Sequence, residues 1–232
     1  MNYTLAIESS TTTPSAALLD SNGTLLAQEN WNAARGSSQR MLQSITNILN
    51  SNNITLADIS LFGIGLGPGN FTGLRITLAA IQTMALPDNT PLIGVSSAAA
   101  LASELPQPQN HGRIITIGDA RRQRLWLGIF ETADGIPALQ GDFELIPLAE
   151  LPEHVQTDDT IATPDWNSLQ TELTNMLPPN MLVSATPMAA GVARIALHQH
   201  KAGNPGRPLK PIYMHPPVFT APRFPDAGSN NK

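Results

Sequence analysis

Two apolar runs near the start of the chain, 3–7 and 16–19, read as buried strands, and the turn signal Asp20-Ser21-Asn22-Gly23 joins the second to a short strand over 24–28. Ser37 and Ser38 then offer caps to a helix over 39–50, where Met41, Leu42, Ile45, Ile48 and Leu49 fall within one arc of about 120°. Residues 61–66 form another apolar strand entering Gly67-Pro68-Gly69-Asn70. Thr72 starts a helix that Pro87 stops near Leu86. A short strand over 91–95 follows, and Ser96 or Ser97 caps an alanine-rich helix reaching about Glu104. The order β-β-β-α-β-α-β-α predicts a mixed sheet with helices packed on it.

Over 106–113 the composition shifts to Pro, Gln, Asn, His and Gly, which marks a domain boundary. Strands over 113–117 and 125–130 open a second unit. An acidic stretch punctuated by Pro and running to Glu172 reads mostly as a solvated face, and a last helix over 188–201 is stopped by Gly203-Asn204-Pro205-Gly206. The chain thus divides into lobes over 1–105 and 106–215 and a tail over 216–232. The four prolines and GSNNK ending of that tail suit a disordered segment or one docked on a neighbour.

Composition narrows the chemistry. At 41% hydrophobic residues over 232 positions, the chain is not disordered as a whole. A formal charge of −5 supplies no global field for phosphate backbones, so nucleic-acid contact has to be local or brought by a partner. With no Cys there is no disulfide framework, thiolate metal site or cysteine nucleophile. No basic leader and no apolar run of the roughly 18 residues a membrane span needs is found, so a cytoplasmic protein is expected. Lysine occurs only at Lys201, Lys210 and Lys232, leaving none for a P-loop, and the histidines form no HExxH, so no metal site is expected. Neither register of the Gly63–Gly69 run satisfies GxGxxG, and there is no GxSxG elbow.

The segment GPGNFTGLR at 67–75 is the most informative. Gly67 and Gly69 bracket a proline where a strand turns into a helix, and the loop is either a phosphate cradle or a tight connection. In the helix that follows, Leu74, Leu78, Ile81 and Ala85 form one face and Ile76, Ala80 and Met84 another. Arg75 and Gln82 are its strongly polar positions, so one apolar face is expected to meet another subunit. Arg75 lies in the first turn, unfavourably for the helix dipole; it pairs with an acidic partner or a phosphate, or is solvated. Arg121, Arg122 and Arg124 form the densest basic cluster, either a nucleic-acid contact or a surface turn.

LAIESSTTTPSAAL from Leu5, SSQRMLQSITNIL from Ser37, GIGLGPGNFTGLRITLA from Gly63 and IGVSSAAALA from Ile93 together resemble the TsaB (YeaZ) family, with DARR at 119–122 and PIYM at 211–214 fitting more loosely. The resemblance implies an α/β fold of the actin-like ATPase (ASKHA, ribonuclease H-like) type, with two lobes of mixed sheets covered by helices. It also implies a non-catalytic scaffold in tRNA threonylcarbamoyladenosine (t6A) synthesis. TsaD, which transfers the threonylcarbamoyl group to the adenosine beside the anticodon, and the ATPase TsaE are the implied partners, with a homodimer of the chain alone and tRNA met only through the complex. No cofactor of its own is implied, although a nucleotide can lie at a subunit interface. Glu8, Ser9, Ser10 and Thr11, with Gly67 and Gly69, fall where such folds place phosphate loops; here they are either vestiges of one or a hydrogen-bonded turn. Partner contact is expected on Met41, Ile45, Phe71, Leu74, Arg75, Leu78, Ile81 and Gln82. The chain has Glu8 where the family usually has Asp, and Ser37 where a His is frequent. The competing reading is a small ATPase or kinase of the same superfamily, using Glu8 and the loop over 67–69.

Overall fold

A computed structural model of the chain describes residues 2–33, 37–106, 112–133 and 135–214. The first part runs β1 (Tyr3–Glu8), β2 (Ser15–Leu19), β3 (Leu25–Asn30), α1 (Ser37–Ser51), β4 (Ile59–Gly65), α2 (Phe71–Ala85), β5 (Leu92–Val95) and α3 (Ser97–Ser103). This is the predicted order. The five strands form one sheet ordered β3-β2-β1-β4-β5, with an antiparallel meander on one side of β1 and the parallel strands β4 and β5 on the other.

The second part repeats the plan. It runs β6 (Ile114–Asp119), β7 (Arg124–Ala133), β8 (Ile136–Leu139), β9 (Glu144–Pro147), α4 (Leu151–His154), β10 (Thr160–Thr163), α5 (Trp166–Met176), β11 (Leu182–Ser184) and α6 (Ala189–Lys201). Its sheet is ordered β11-β10-β6-β7-β8, with β9 also on β7. The first strand is again central, an antiparallel hairpin on one side and two parallel strands on the other. Two sheets of one topology, each with helices between and after its parallel strands, make the two-lobed actin-like fold.

The acidic stretch running to Glu172 is half a lobe whose acidic side chains mostly face solvent, as expected: Glu131, Asp142, Glu144, Glu150, Glu153 and Asp158 are exposed. Within it Ile161 and Ala162 of β10 and Leu169 and Leu173 of α5 are core residues. Asp159 is buried at 3% exposure, and its Oδ2 accepts from Arg113 Nη2 at 2.6 Å. Its apolar spacing is short and its strands are three or four residues long, so periodicity is hard to see against the charge.

The two closing helices are exchanged. α3 follows the first sheet but packs on α6 and on β6, β7 and β8, whereas α6 follows the second sheet and packs on β1, β2, β4 and β5. Small side chains allow it: Ala98, Ala99, Ala100 and Ala102 of α3 and Ala189, Ala190, Ala193 and Ala196 of α6 are all buried. At Gly191 a Cβ would stand 2.8 Å from the Ala100 carbonyl. One apolar cluster thus joins Ala6, Leu19 and Leu61 to Ile114, Trp126 and Phe130 through these helices. Further cores lie under α1 and α2 in the first lobe and under α4 and α5 in the second. The tail over 216–232, read as disordered or docked, lies outside the described residues, as does most of the segment read as a domain boundary.

Candidate functional site: the cleft between the lobes and the outer face of the second helix

Each central strand delivers a polar turn to the same place. β1 ends in Glu8 and turns through Ser9–Thr13 into β2, while β6 ends in Asp119 and turns through Arg121–Gln123 into β7. A cleft of about 1040 Å³ lies between these turns. Ser10, Thr11 and Gly69–Phe71 line one wall, Asp119–Arg121, Trp126 and Asp165 the other, and Ile212–Met214 also border it.

Glu8 does not face this cleft. It is fully buried, its Oε1 accepting from the Ser10 amide at 2.6 Å and its Oε2 from the Ser97 hydroxyl at 2.6 Å. Ser97 Oγ in turn accepts from the Gly67 amide at 2.8 Å, so the carboxylate ties the end of β1 to the start of α3 and to the glycine loop. A Cβ at Gly65 would overlap Glu8 Oε2, which is why glycine ends β4. Burial pushes the Glu8 carboxyl above the ordinary range, with the Ser10 and Ser97 hydrogen bonds offsetting part of the rise.

The glycine loop is a tight connection, and two of its amides are engaged within the chain. Gly67 has φ +90° and Gly69 φ +152°, and a Cβ on Gly69 would overlap the Ser10 carbonyl. The Gly67 amide is spent on Ser97, Pro68 has none, and the Asn70 amide donates to the Ser10 carbonyl at 2.7 Å. Asn70 caps α2, its side chain accepting from the Gly73 amide at 3.2 Å. Of the phosphate-loop candidates, Ser10, Thr11 and Gly69 reach the cleft; Glu8, Ser9 and Gly67 do not. Ser9 Oγ is buried without a hydrogen-bond partner. Among the described residues no three His, Asp or Glu cluster as metal ligands.

The partner-contact candidates divide by burial. Met41, Ile45, Leu74, Leu78 and Ile81 belong to the core of the first lobe and offer no surface, because one side of each helix must cover the sheet. Phe71, Arg75 and Gln82 are exposed. The second apolar face of α2 is open: Ile76 is 47% exposed and Phe71 50%, with Ala80 and Met84 half-buried, and Leu42 of the neighbouring α1 is 49% exposed. The Arg75 guanidinium lies 5.2 Å from the Phe71 ring centroid, and Phe71 stacks on Tyr213 at 4.8 Å.

On the opposite wall, Arg121, Arg122 and Gln123 all have positive φ, the mark of a tight surface turn. Arg121 Nη1 is 3.6 Å from Asp119 Oδ2, and Arg124 Nη2 donates to the Leu145 carbonyl at 2.9 Å. Trp126, Asp165 and Tyr213 are cleft residues that the sequence did not single out as site residues, although Tyr213 lies within the PIYM motif. Asp165 Oδ2 accepts from the Asp119 amide at 2.8 Å, and burial raises its carboxyl, as does the nearby Asp119 charge. The signal for it is positional, since Asp165 precedes α5 as Asn70 precedes α2, but it appears only once the lobes are recognised as repeats.

A family model described as TsaD, tRNA N6-adenosine threonylcarbamoyltransferase, matches residues 31–137. The tRNA threonylcarbamoyladenosine biosynthesis protein TsaB of Escherichia coli is 35% identical over 117 residues, half of each chain. TsaB of Bacillus subtilis is 28% identical over 162 residues, 70% of this chain and 63% of that one. The chain thus spans between half and two thirds of these relatives' length. The YeaZ structure from Pseudomonas aeruginosa superimposes with a TM-score of 0.74 at 26% identity, covering 92% of this chain and all of that one. A second Pseudomonas aeruginosa structure, described as similar to peptidase YeaZ, does so at 0.76 and 26% identity, covering 93% and 100%. Motifs, relatives and whole-chain superposition agree in making the chain similar to the TsaB (YeaZ) proteins.

Proposed function

We propose that the chain is a non-catalytic scaffold of t6A synthesis, binding TsaD, with TsaE, so that TsaD transfers the threonylcarbamoyl group to the tRNA adenosine beside the anticodon. The observation that carries the proposal is the open apolar face of α2. Ile76 and Phe71, with Leu42 of α1, are large apolar side chains left half in solvent, as expected of a surface that a second polypeptide covers. The buried Glu8, engaged with Ser10 and Ser97 away from the cleft, supports a scaffold over the alternative ATPase or kinase, whose carboxylate has to face the phosphate.

The same surface serves a homodimer when the chain is alone, and tRNA is met only through the complex. The chain has no cofactor of its own under this reading, and a nucleotide at the subunit interface and a cytoplasmic location belong to the same proposal. Among the described residues no helix is long and apolar enough to cross a membrane.

Reconstitution with TsaD, TsaE, tRNA and threonylcarbamoyl-adenylate tests it. Modification should fall when the chain is omitted, and Ile76→Glu should weaken association with TsaD by about tenfold or more while leaving the fold intact. Equal modification without the chain would overturn the reading.

A further inference from the structure

A second cavity, of about 70 Å³, lies where the first turns of α1 and α2 meet the end of β1. Ser9, Ser38, Gly73 and Thr77 line it, with Trp31 and Met41 as its apolar wall. Close backbone packing fixes its shape. The Asn70 amide donates to the Ser10 carbonyl at 2.7 Å, and a Cβ on Gly73 would stand 2.9 Å from the Ser9 carbonyl oxygen, so glycine lets α2 begin directly against the β1–β2 turn. Ser9 is 3% exposed, and its Oγ is buried without a hydrogen-bond partner. Thr77, equally buried, brings a second hydroxyl. Both residues line this cavity and not the cleft.

We propose that this cavity is a binding site for a small monovalent anion, chloride or a carboxylate of formate's size, held by the Ser9 and Thr77 hydroxyls at the positive ends of two helices. α1 and α2 are each 15 residues long, and both bring their first turn to the cavity: Ser38 is the second residue of α1 and Gly73 the third of α2. A helix N-terminus carries a partial positive charge, and neither helix has an acidic residue in its first turn to offset it. Among the described residues no Asp or Glu lines the cavity, so a cation entering it meets no counter-charge. The adjoining Glu8 carboxylate is directed elsewhere, to the Ser10 amide, Ser97 and Gly65. Hydroxyls donate to an anion, and an apolar wall on one side lowers the local dielectric and strengthens the attraction. A water needs about 10–15 Å³ by the same measure, so a halide or formate fits within the space. Water would satisfy the hydroxyls equally well; the two uncompensated helix ends favour the anion.

Amide spectra of the full-length chain test the site. Replacing sodium gluconate, whose anion is too large for the cavity, by sodium chloride or sodium formate at constant ionic strength should shift the Ser9, Ser38 and Gly73 amide signals saturably. Thr77→Val keeps the shape and removes a hydroxyl, and should weaken the chloride response by about tenfold with an unchanged circular dichroism spectrum. Adding Ser9→Ala should abolish it. A crystal of the parent chain grown in sodium bromide should show an anomalous peak within hydrogen-bonding reach of Ser9 Oγ, a result independent of how either variant folds. The proposal is overturned if the signals stay in place when gluconate is replaced, if they move without saturating, if folded Thr77→Val and the double variant respond as the parent does, or if the bromide crystal holds only water at Ser9.

Discussion

Glu8 sits sealed beneath the β4–α2 connection with no ion-pair partner among the described residues, held by the Ser10 amide and the Ser97 hydroxyl. Its folded-state pKa is raised above the unfolded one, so its contribution to stability is full below the unfolded value and is lost as pH rises through the folded value. Glu8→Gln keeps an acceptor for the Ser10 amide and removes the charge, while the Ser97 hydroxyl turns from donating to accepting. It should unfold at the same temperature as the parent or a higher one at mildly alkaline pH, with a flatter pH dependence. Glu8→Ala strands a buried amide and a hydroxyl, costing about 1–3 kcal/mol for each unsatisfied group. Thermal unfolding across pH checks both. A Gln variant as damaged as the Ala variant at alkaline pH would show that the charge itself is needed. Ser10, Thr11, Gly67 and Gly69 were legible as a polar turn beside a glycine loop, but the destination of each amide was not. That depends on Ser97, which reaches Glu8 from 89 residues away in sequence.

The two closing helices carry the element-scale lesson. An alanine-rich segment at 97–103 is readable as a helix, and so is the one near 189–201, but neither announces that it will pack on the other lobe's sheet. Their small residues decide it, because the two helices must fit side by side between two sheets. Gly191 marks the closest approach. A leucine there would overpack against the Ala100 carbonyl, and the typical overpacking cost of about 1–3 kcal/mol should exceed the helix-propensity gain of under about 1 kcal/mol over glycine. A lowered denaturant midpoint with unchanged slope is the expected result, and an unchanged midpoint would mean that the helices part freely. α2 shows the opposite case. Its all-round apolar character was plain in the sequence, and the structure assigns Leu74, Leu78 and Ile81 to the core and Ile76 to the open side.

At the scale of the whole molecule, the exchange of α3 and α6 makes the lobes interdependent. The face of the first sheet that carries Ala6, Ala17, Leu19 and Leu61 is covered by a helix some ninety residues beyond its last strand. A fragment over 1–105 should therefore lack a cooperative unfolding transition, and adding a fragment over 112–214 should restore it, as followed by circular dichroism during heating. A sharp transition from the first fragment alone would show that the sheet does not require α6. The repeated topology also explains the cleft, since equivalent strands β1 and β6 bring their following turns to opposite walls of one space.

The sequence by itself determined the strand and helix order of the first lobe, the capped start of α3, the need for glycine at 67 and 69, and the resemblance to the TsaB (YeaZ) family. Each of these rests on local periodicity, turn chemistry or contiguous motifs. Only the tertiary structure decided that the acidic second half holds a matching sheet, that Glu8 turns inward, that five of the apolar contact candidates are core, and that Trp126, Asp165 and Tyr213 share a cleft. Those outcomes depend on which side of an element meets which distant segment, and burial is a property of the packed chain, not of a residue or its neighbours in sequence.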